Sequence, residues 1–254
     1  LAAPALGAKQ TQTRLGPLLN KHATGAILTQ IALNATEAAA VASAKLRGFG
    51  RKNDADQAAV DAMRRSFQDA PFDGRVVIGE GEIDEAPMLY IGEKVGAGGV
   101  KVDIAVDPLE GTKLCAGDAP NAMTVVALAP EGGLLHAPDM YMDKLAIGPG
   151  YPAGLIDLDL SPTENVTRLA KAKGVSVREI RACLLDRPRH AHIIEELRQA
   201  GAGIRLIPDG DVAGVFWTTE AARSGVDIYF GSGGAPEGVL AAAAIRCAGG
   251  QMQA

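Results

Sequence analysis

The sequence predicts a layered α/β fold, and three features predict it. Short apolar runs bounded by Gly or Pro alternate with longer runs of helical period. Apolar residues make up 47% of the 254 residues while aromatics supply only 4%, so the core must be aliphatic. Thirty-one glycines supply the tight turns that such alternation needs.

The elements follow in chain order. Residues 28–46 are Ala-rich, contain no Gly or Pro, and are expected to form a helix that Gly48-Phe49-Gly50 stops. A second helix is expected over 54–67, where Ala59, Met63 and Phe67 recur every four residues and give one buried stripe. The period then changes. Strands are expected over 75–79, 101–107 and 122–129, with Pro108 and Pro130 closing the last two. Gly148-Pro149-Gly150-Tyr151-Pro152 marks the best boundary, dividing 28–150 from 151–254, while 1–27 form a basic extension. Beyond it, helices are expected over Pro162–Lys173, capped by Ser161, and over 189–200 and 236–247. Strands are expected over 180–186, 203–207 and 227–231. The apolar run 239–245 is expected to need cover from further chain or from another subunit.

Composition excludes several functions. A net charge of −5 argues against nucleic-acid binding, which wants a basic surface. No apolar run approaches the roughly 20 residues of a membrane span. Cys115, Cys183 and Cys247 lie far apart, with neither a disulfide framework nor a zinc pattern, which suits a reducing compartment. The first 36 residues carry Lys9, Arg14 and Lys21 but no acid, as the edge of an organelle-targeting sequence would; a plain flexible tail is the other reading.

The chemistry lies in acids at strand ends. Glu80, Glu82, Asp84 and Glu85 crowd together after the strand ending at Gly79, and Asp107 and Glu110 follow the next. Carboxylates so packed repel one another unless a cation such as Mg²⁺ or Mn²⁺ neutralises them; for the Glu80 group alone, a solvated acidic loop is the competing reading. In Asp107-Pro108-Leu109-Glu110-Gly111-Thr112, Pro108 stiffens the turn, Gly111 allows close backbone approach, and Thr112 adds a hydroxyl.

Asp107 to Thr112 resembles the Asp-Pro-x-Asp-Gly-Ser/Thr signature of the lithium-sensitive, metal-dependent phosphatase superfamily. The run Gly79-Glu80-Gly81-Glu82-Ile83-Asp84-Glu85-Ala86-Pro87 is similar to the hallmark of class II fructose-1,6-bisphosphatases, as are Ala137-Pro138-Asp139-Met140-Tyr141-Met142 and Gly233-Gly234-Ala235-Pro236-Glu237-Gly238. The likeness covers nearly all of 28–250. Ala55-Asp56-Gln57 and Asp186-Arg187-Pro188-Arg189-His190 resemble most the photosynthetic branch, which also hydrolyses sedoheptulose-1,7-bisphosphate.

The resemblance implies a layered α-β-α-β-α sandwich of the sugar-phosphatase type. It implies metal ligands at Asp56, Glu80, Asp107, Glu110 and Glu237, in the 28–150 unit and at the start of the last helix. Asp84 and Thr112 would be catalytic. Glu110, Gly111, Thr112, Tyr141, Arg187, Pro188, Arg189, Asp209, Gly210, Asp211 and Gly234 would meet a sugar bisphosphate, mostly from the 151–254 unit. Taken alone, Arg187 and Arg189 read as solvated surface, Asp209 and Asp211 as a turn, and Glu237 as an acid favouring a helix N-terminus. The implied reaction is hydrolysis of the 1-phosphate of fructose 1,6-bisphosphate, with the chloroplast stroma or the cytoplasm as the setting and a homo-oligomer as the assembly.

The departures from the family pattern are specific. Asp118 stands where the family has glycine, and Phe49 and Arg51 replace an arginine and an acid. Relatives continue beyond residue 254, so the C-terminal part of the fold is expected to be missing here. That motivates the rival reading of a non-catalytic structural subunit in a larger assembly.

Overall fold

A computed structural model describes residues 16–81 and 88–254. Helices α1 (Gly16–Ala44) and α2 (Lys52–Gln68) precede β1 (Phe72–Ile78), β2 (Lys94–Val95), β3 (Val100–Glu110), α3 (Thr112–Ala116) and β4 (Met123–Pro130). The chain continues through β5 (Tyr141–Ile147), α4 (Pro162–Lys173), β6 (Arg181–Leu185), α5 (Ala191–Gln199) and β7 (Gly203–Ile207). It closes with α6 (Asp211–Trp217), α7 (Ala221–Ser224), β8 (Ile228–Gly234), α8 (Ala235–Ala248) and β9 (Gln251–Gln253).

Two sheets form, ordered β2-β1-β3-β4 and β7-β6-β8-β5-β9. The first buries its outer face under α1 and α2. Ile31, Ala35 and Ala39 of α1 meet Ala59, Met63 and Phe67 of α2 over Phe72, Val102 and Ile104. Alanines at four-residue spacing on both helices let their backbones come close. The outer face of the second sheet packs on α4 and α5, with Val166, Leu169, Ile194 and Leu197 against Leu145, Leu184 and Ile228. Between the sheets runs α8. Its Val239 and Leu240 touch Val77, Ile78 and Ala105 of the first sheet. Its Ala241 and Ile245 touch Ala146 and Tyr229 of the second. The layers therefore run α-β-α-β-α, as expected. Helix α4 starts with the expected Ser161 cap, a reciprocal capping box with Glu164.

The structure departs from the sequence reading at several elements, the first being helix α1, which begins at Gly16, inside the 1–27 stretch read as an extension. Strand β3 does not stop at Pro108. It continues to Glu110 through a register shift between Asp107 and Glu110, where proline's missing N–H interrupts the ladder. Strand β5 precedes the boundary expected near 150, yet it pairs with β8 and β9 in the second sheet. The apolar run 239–245 already has cover, because Val239, Leu240, Ala241 and Ile245 are buried between the sheets. Asp118 adopts φ +54°, the left-handed conformation a glycine takes easily, and its carboxylate binds Arg47 at 2.8 Å.

Candidate functional site

Strands β1 and β3 run parallel, as do β6, β7 and β8. Their carboxyl ends carry the candidate residues: Glu80 after β1, Asp107 and Glu110 at the end of β3, Arg187 and Arg189 after β6, Asp209 after β7, and Gly234 and Glu237 at the β8–α8 junction. Loops beyond the carboxyl ends of parallel strands are where α/β folds place ligands.

A cavity of about 320 Å³ brings Asp56, Glu80, Asp107, Gly111, Thr112, Asp209 and Glu237 together. A hollow of about 540 Å³ near the end of α8 is larger but has no acid in its lining. Asp56 reaches the cavity from the first turns of α2. Glu80 arrives through Gly79, where a Cβ would lie 2.0 Å from the Leu89 carbonyl, so only glycine fits. Backbone bonds Glu80 N to Leu89 O (3.0 Å) and Ile91 N to Gly81 O (2.9 Å) tie residues 80–81 to residues 89–91. Asp84, Glu82 and Glu85 lie outside the described residues. Gly111, at φ +79°, turns the chain so that Thr112 opens α3 beside the acids.

The bulge in β3 lets Asp107 and Glu110 share a hydrogen bond although they are three residues apart. Burial, and then the charges of Glu80, Glu237 and Asp56, raise Asp107 to about 7. Burial, the bond to Asp107, and the charges of Asp107, Asp211 and Glu237 raise Glu110 to about 10. Glu80 rises to about 7 through burial and the charge of Asp56. Asp56 and Glu237 are also raised, chiefly by burial. Without a cation to neutralise them, burial and mutual repulsion thus favour the protonated forms of these acids.

As the side chains lie, no group of three or more His, Cys, Asp or Glu among the described residues is set closely enough to hold an ion. The donor set nonetheless fits a hard divalent cation. All five groups are carboxylates, and the buried Glu237 Oε2 has no hydrogen-bond partner.

Linkage gives the sign of the pH effect. Unfolded, these acids titrate near 4. Between about pH 4 and 7 the ion-free folded protein holds more protons than the unfolded chain, so stability falls as pH rises. The exposed capping acids Glu164 and Glu179 shift downward instead, and their contribution is complete well below pH 6. Chelator-treated protein should therefore melt several degrees higher at pH 6 than at pH 8, and Mn²⁺ should raise the pH 8 value most. Thermal melts at the two pH values check this.

Two arginines, Arg187 and Arg189, follow β6. Arg189 donates from Nε (2.9 Å) and Nη2 (2.7 Å) to the Ser232 carbonyl, and its guanidinium stacks 4.8 Å from the Tyr141 ring centroid. Arg187 Nη2 lies 3.6 Å from Asp209 Oδ1. Pro188 opens a 3₁₀ turn through His190. Gly210, at φ +83°, leads into α6. Asp211 is buried and takes a 2.6 Å contact from Lys144 Nζ, so its expected part in sugar binding competes with an ion pair. Gly234 adjoins Glu237, where a Cβ would fall 1.9 Å from Oε2. Gly234→Ala should push that carboxylate aside and weaken divalent-ion binding about tenfold while leaving the melting temperature nearly unchanged; calorimetric titration with Mn²⁺ checks it.

Two polar residues of this region receive no role in the sequence reading. Lys144 is buried in β5, and its only signal is a lysine abutting the apolar Leu145-Ala146-Ile147. His190, also buried, follows the Arg-Pro-Arg run.

Acids and arginines gathered at strand ends of a five-layered sandwich define an α/β protein with a polar strand-end site. Comparison with known families is more specific: bacterial fructose-1,6-bisphosphatases of the glpX-encoded type match residues 27–254. The chain belongs to that family. Fructose-1,6-bisphosphatase 1 class 2 of Escherichia coli K12 is 52% identical over 218 residues, covering 85% of this chain and 64% of its own length. The D-fructose 1,6-bisphosphatase class 2/sedoheptulose 1,7-bisphosphatase of Synechococcus elongatus is 48% identical over 234 residues, 87% of this chain and 67% of that protein. The protein of the same name from Parasynechococcus marenigrum is 50% identical over 227 residues, with 89% and 67% covered. The chain thus spans about two thirds of the length of these relatives. No helix among the described residues is long and apolar enough to cross a membrane.

Proposed function

We propose that the protein hydrolyses the 1-phosphate of a sugar bisphosphate, fructose 1,6-bisphosphate and also sedoheptulose 1,7-bisphosphate, with Mg²⁺ or Mn²⁺. One observation carries the reading: Asp56, Glu80, Asp107 and Glu237, from four separate segments, line one cavity and repel one another, Glu110 shares a hydrogen bond with Asp107, and Arg187 reaches Asp209 on the cavity wall. These five carboxylates would hold the cations, which when bound supply charge neutralisation for the reacting phosphate and activate the attacking water. Thr112 offers its hydroxyl in the cavity to orient that water, and Asp84 is proposed as its partner. Arg187 and Arg189 hold the distal phosphate, with Tyr141 as the platform beneath Arg189. Asp209 accepts from sugar hydroxyls. Two anchors at opposite ends fix which phosphate meets the acids.

A non-catalytic subunit would have no use for five buried or half-buried acids whose mutual repulsion costs stability. The basic, acid-free N-terminal segment and the cyanobacterial relatives support a photosynthetic organelle, the chloroplast stroma, as the setting.

The test is phosphate release from both bisphosphates with Mg²⁺ or Mn²⁺. Arg187→Ala and Arg189→Ala should each raise KM for a bisphosphate on the order of tenfold or more, through loss of a charge-assisted contact. Their effect on p-nitrophenyl phosphate, which has no distal phosphate, should be smaller. Equal losses on both substrates would remove the arginines from the distal-phosphate role.

A further inference from the structure

Arg189 does not stand alone. Two of its N–H groups are spent on the Ser232 carbonyl, so the position of that carbonyl sets where the remaining donors point. The Ser232 N–H, on the other side of the same residue, donates to His190 Nε2 at 2.8 Å. A backbone N–H can only donate, so Nε2 is the unprotonated nitrogen. Nδ1 therefore carries the proton and donates to the Leu185 carbonyl, also at 2.8 Å. His190 is 1% exposed and locked in a single tautomer between the end of β6 and strand β8. Residue 231, beside the imidazole, is glycine. A Cβ there would lie 3.0 Å from the Tyr229 hydroxyl and 3.3 Å from His190 Cε1.

We propose that His190 is a positioning residue for substrate recognition, fixing Ser232 so that Arg189 presents its free donors to the distal phosphate. The proposal rests on Arg189 being a phosphate ligand. It makes specificity for a second phosphate depend on a buried imidazole that touches no substrate. A glutamine can return an acceptor to the Nε2 position. An asparagine can return only the donor at the Nδ1 position.

The test is a double-mutant cycle. His190→Asn should raise KM for fructose 1,6-bisphosphate about tenfold with kcat within about twofold, the size of one lost orienting hydrogen bond. His190→Gln should recover most of that loss. In an Arg189→Ala background, His190→Asn should add nothing further. An Asn effect that persists undiminished without Arg189, a parallel fall of kcat, or failure of Gln to do better than Asn would each overturn the proposal. If the unaltered protein releases no phosphate from any bisphosphate, the functional reading fails instead. The same cycle read as the Kd of inorganic phosphate by calorimetry then decides the role of His190, with coupling to Arg189 supporting it and additivity overturning it.

Discussion

Asp107→Asn and Glu110→Gln should each lower the rate of phosphate release on the order of 10³-fold, since each removes a fixed negative charge where cations must neutralise the reacting phosphate. Neither should unfold the protein. In this structure the two acids are destabilising neighbours. Burial and the charges around them drive Asp107 to about 7 and Glu110 to about 10, so the ion-free site keeps them together by holding protons. An amide of the same shape retains a hydrogen bond between the positions and removes one charge from the repulsion. The melting temperature in chelator should therefore stay level or rise, while the gain on adding Mn²⁺ should shrink. Activity and melting are expected to move independently, which separates a ligand from a scaffold residue. Near-normal turnover in both variants would remove this pair from the chemistry.

Lys144→Met should have the largest effect on stability. Lys144 is fully buried in β5 and binds the 6%-exposed Asp211 at 2.6 Å. Deleting one partner of a buried ion pair leaves the other charge uncompensated, at a cost of about 3–5 kcal/mol, or roughly 10 °C in melting temperature for a chain of this size. Methionine nearly preserves the volume, so a cavity contributes little of that loss. Adding Asp211→Asn to Lys144→Met removes the stranded charge and should restore more than half of the stability. Denaturant unfolding of the two single variants and the double variant measures this. A loss under about 1 kcal/mol for Lys144→Met would mean that solvent reaches Asp211.

Legibility of the fold followed the strength of local pattern. The stripe Ala59, Met63, Phe67 is visible in sequence and fully buried in space. The limits of β7 and α4 coincide with those expected because Gly203 and the Ser161 cap punctuate them. Strand β5 was hidden because Tyr141, Met142, Asp143 and Lys144 break the apolar alternation, and its pairing with β8 is nearly a hundred residues distant. Pro108 read as a stop, yet a bulge admits it without ending the strand. At the site, Asp56, Glu80, Asp107, Thr112, Asp209 and Glu237 were legible as motifs, and folding brings them around one cavity. The roles of Lys144 and His190 were not, because they come from burial and from partners on other elements, which no local spacing encodes.

The central claim is that these acids exchange protons for divalent cations. The direct measurement is calorimetric titration of Mn²⁺ into chelator-treated protein at about pH 6.5 in buffers of different ionisation enthalpy, which counts the protons released. Because Glu80 and Asp107 sit near 7 and Glu110 near 10 without the ion, binding should release more than one proton per protein, and affinity should climb from pH 6 to pH 8. Saturable binding with no proton release, or no binding at all at pH 8, would contradict the account.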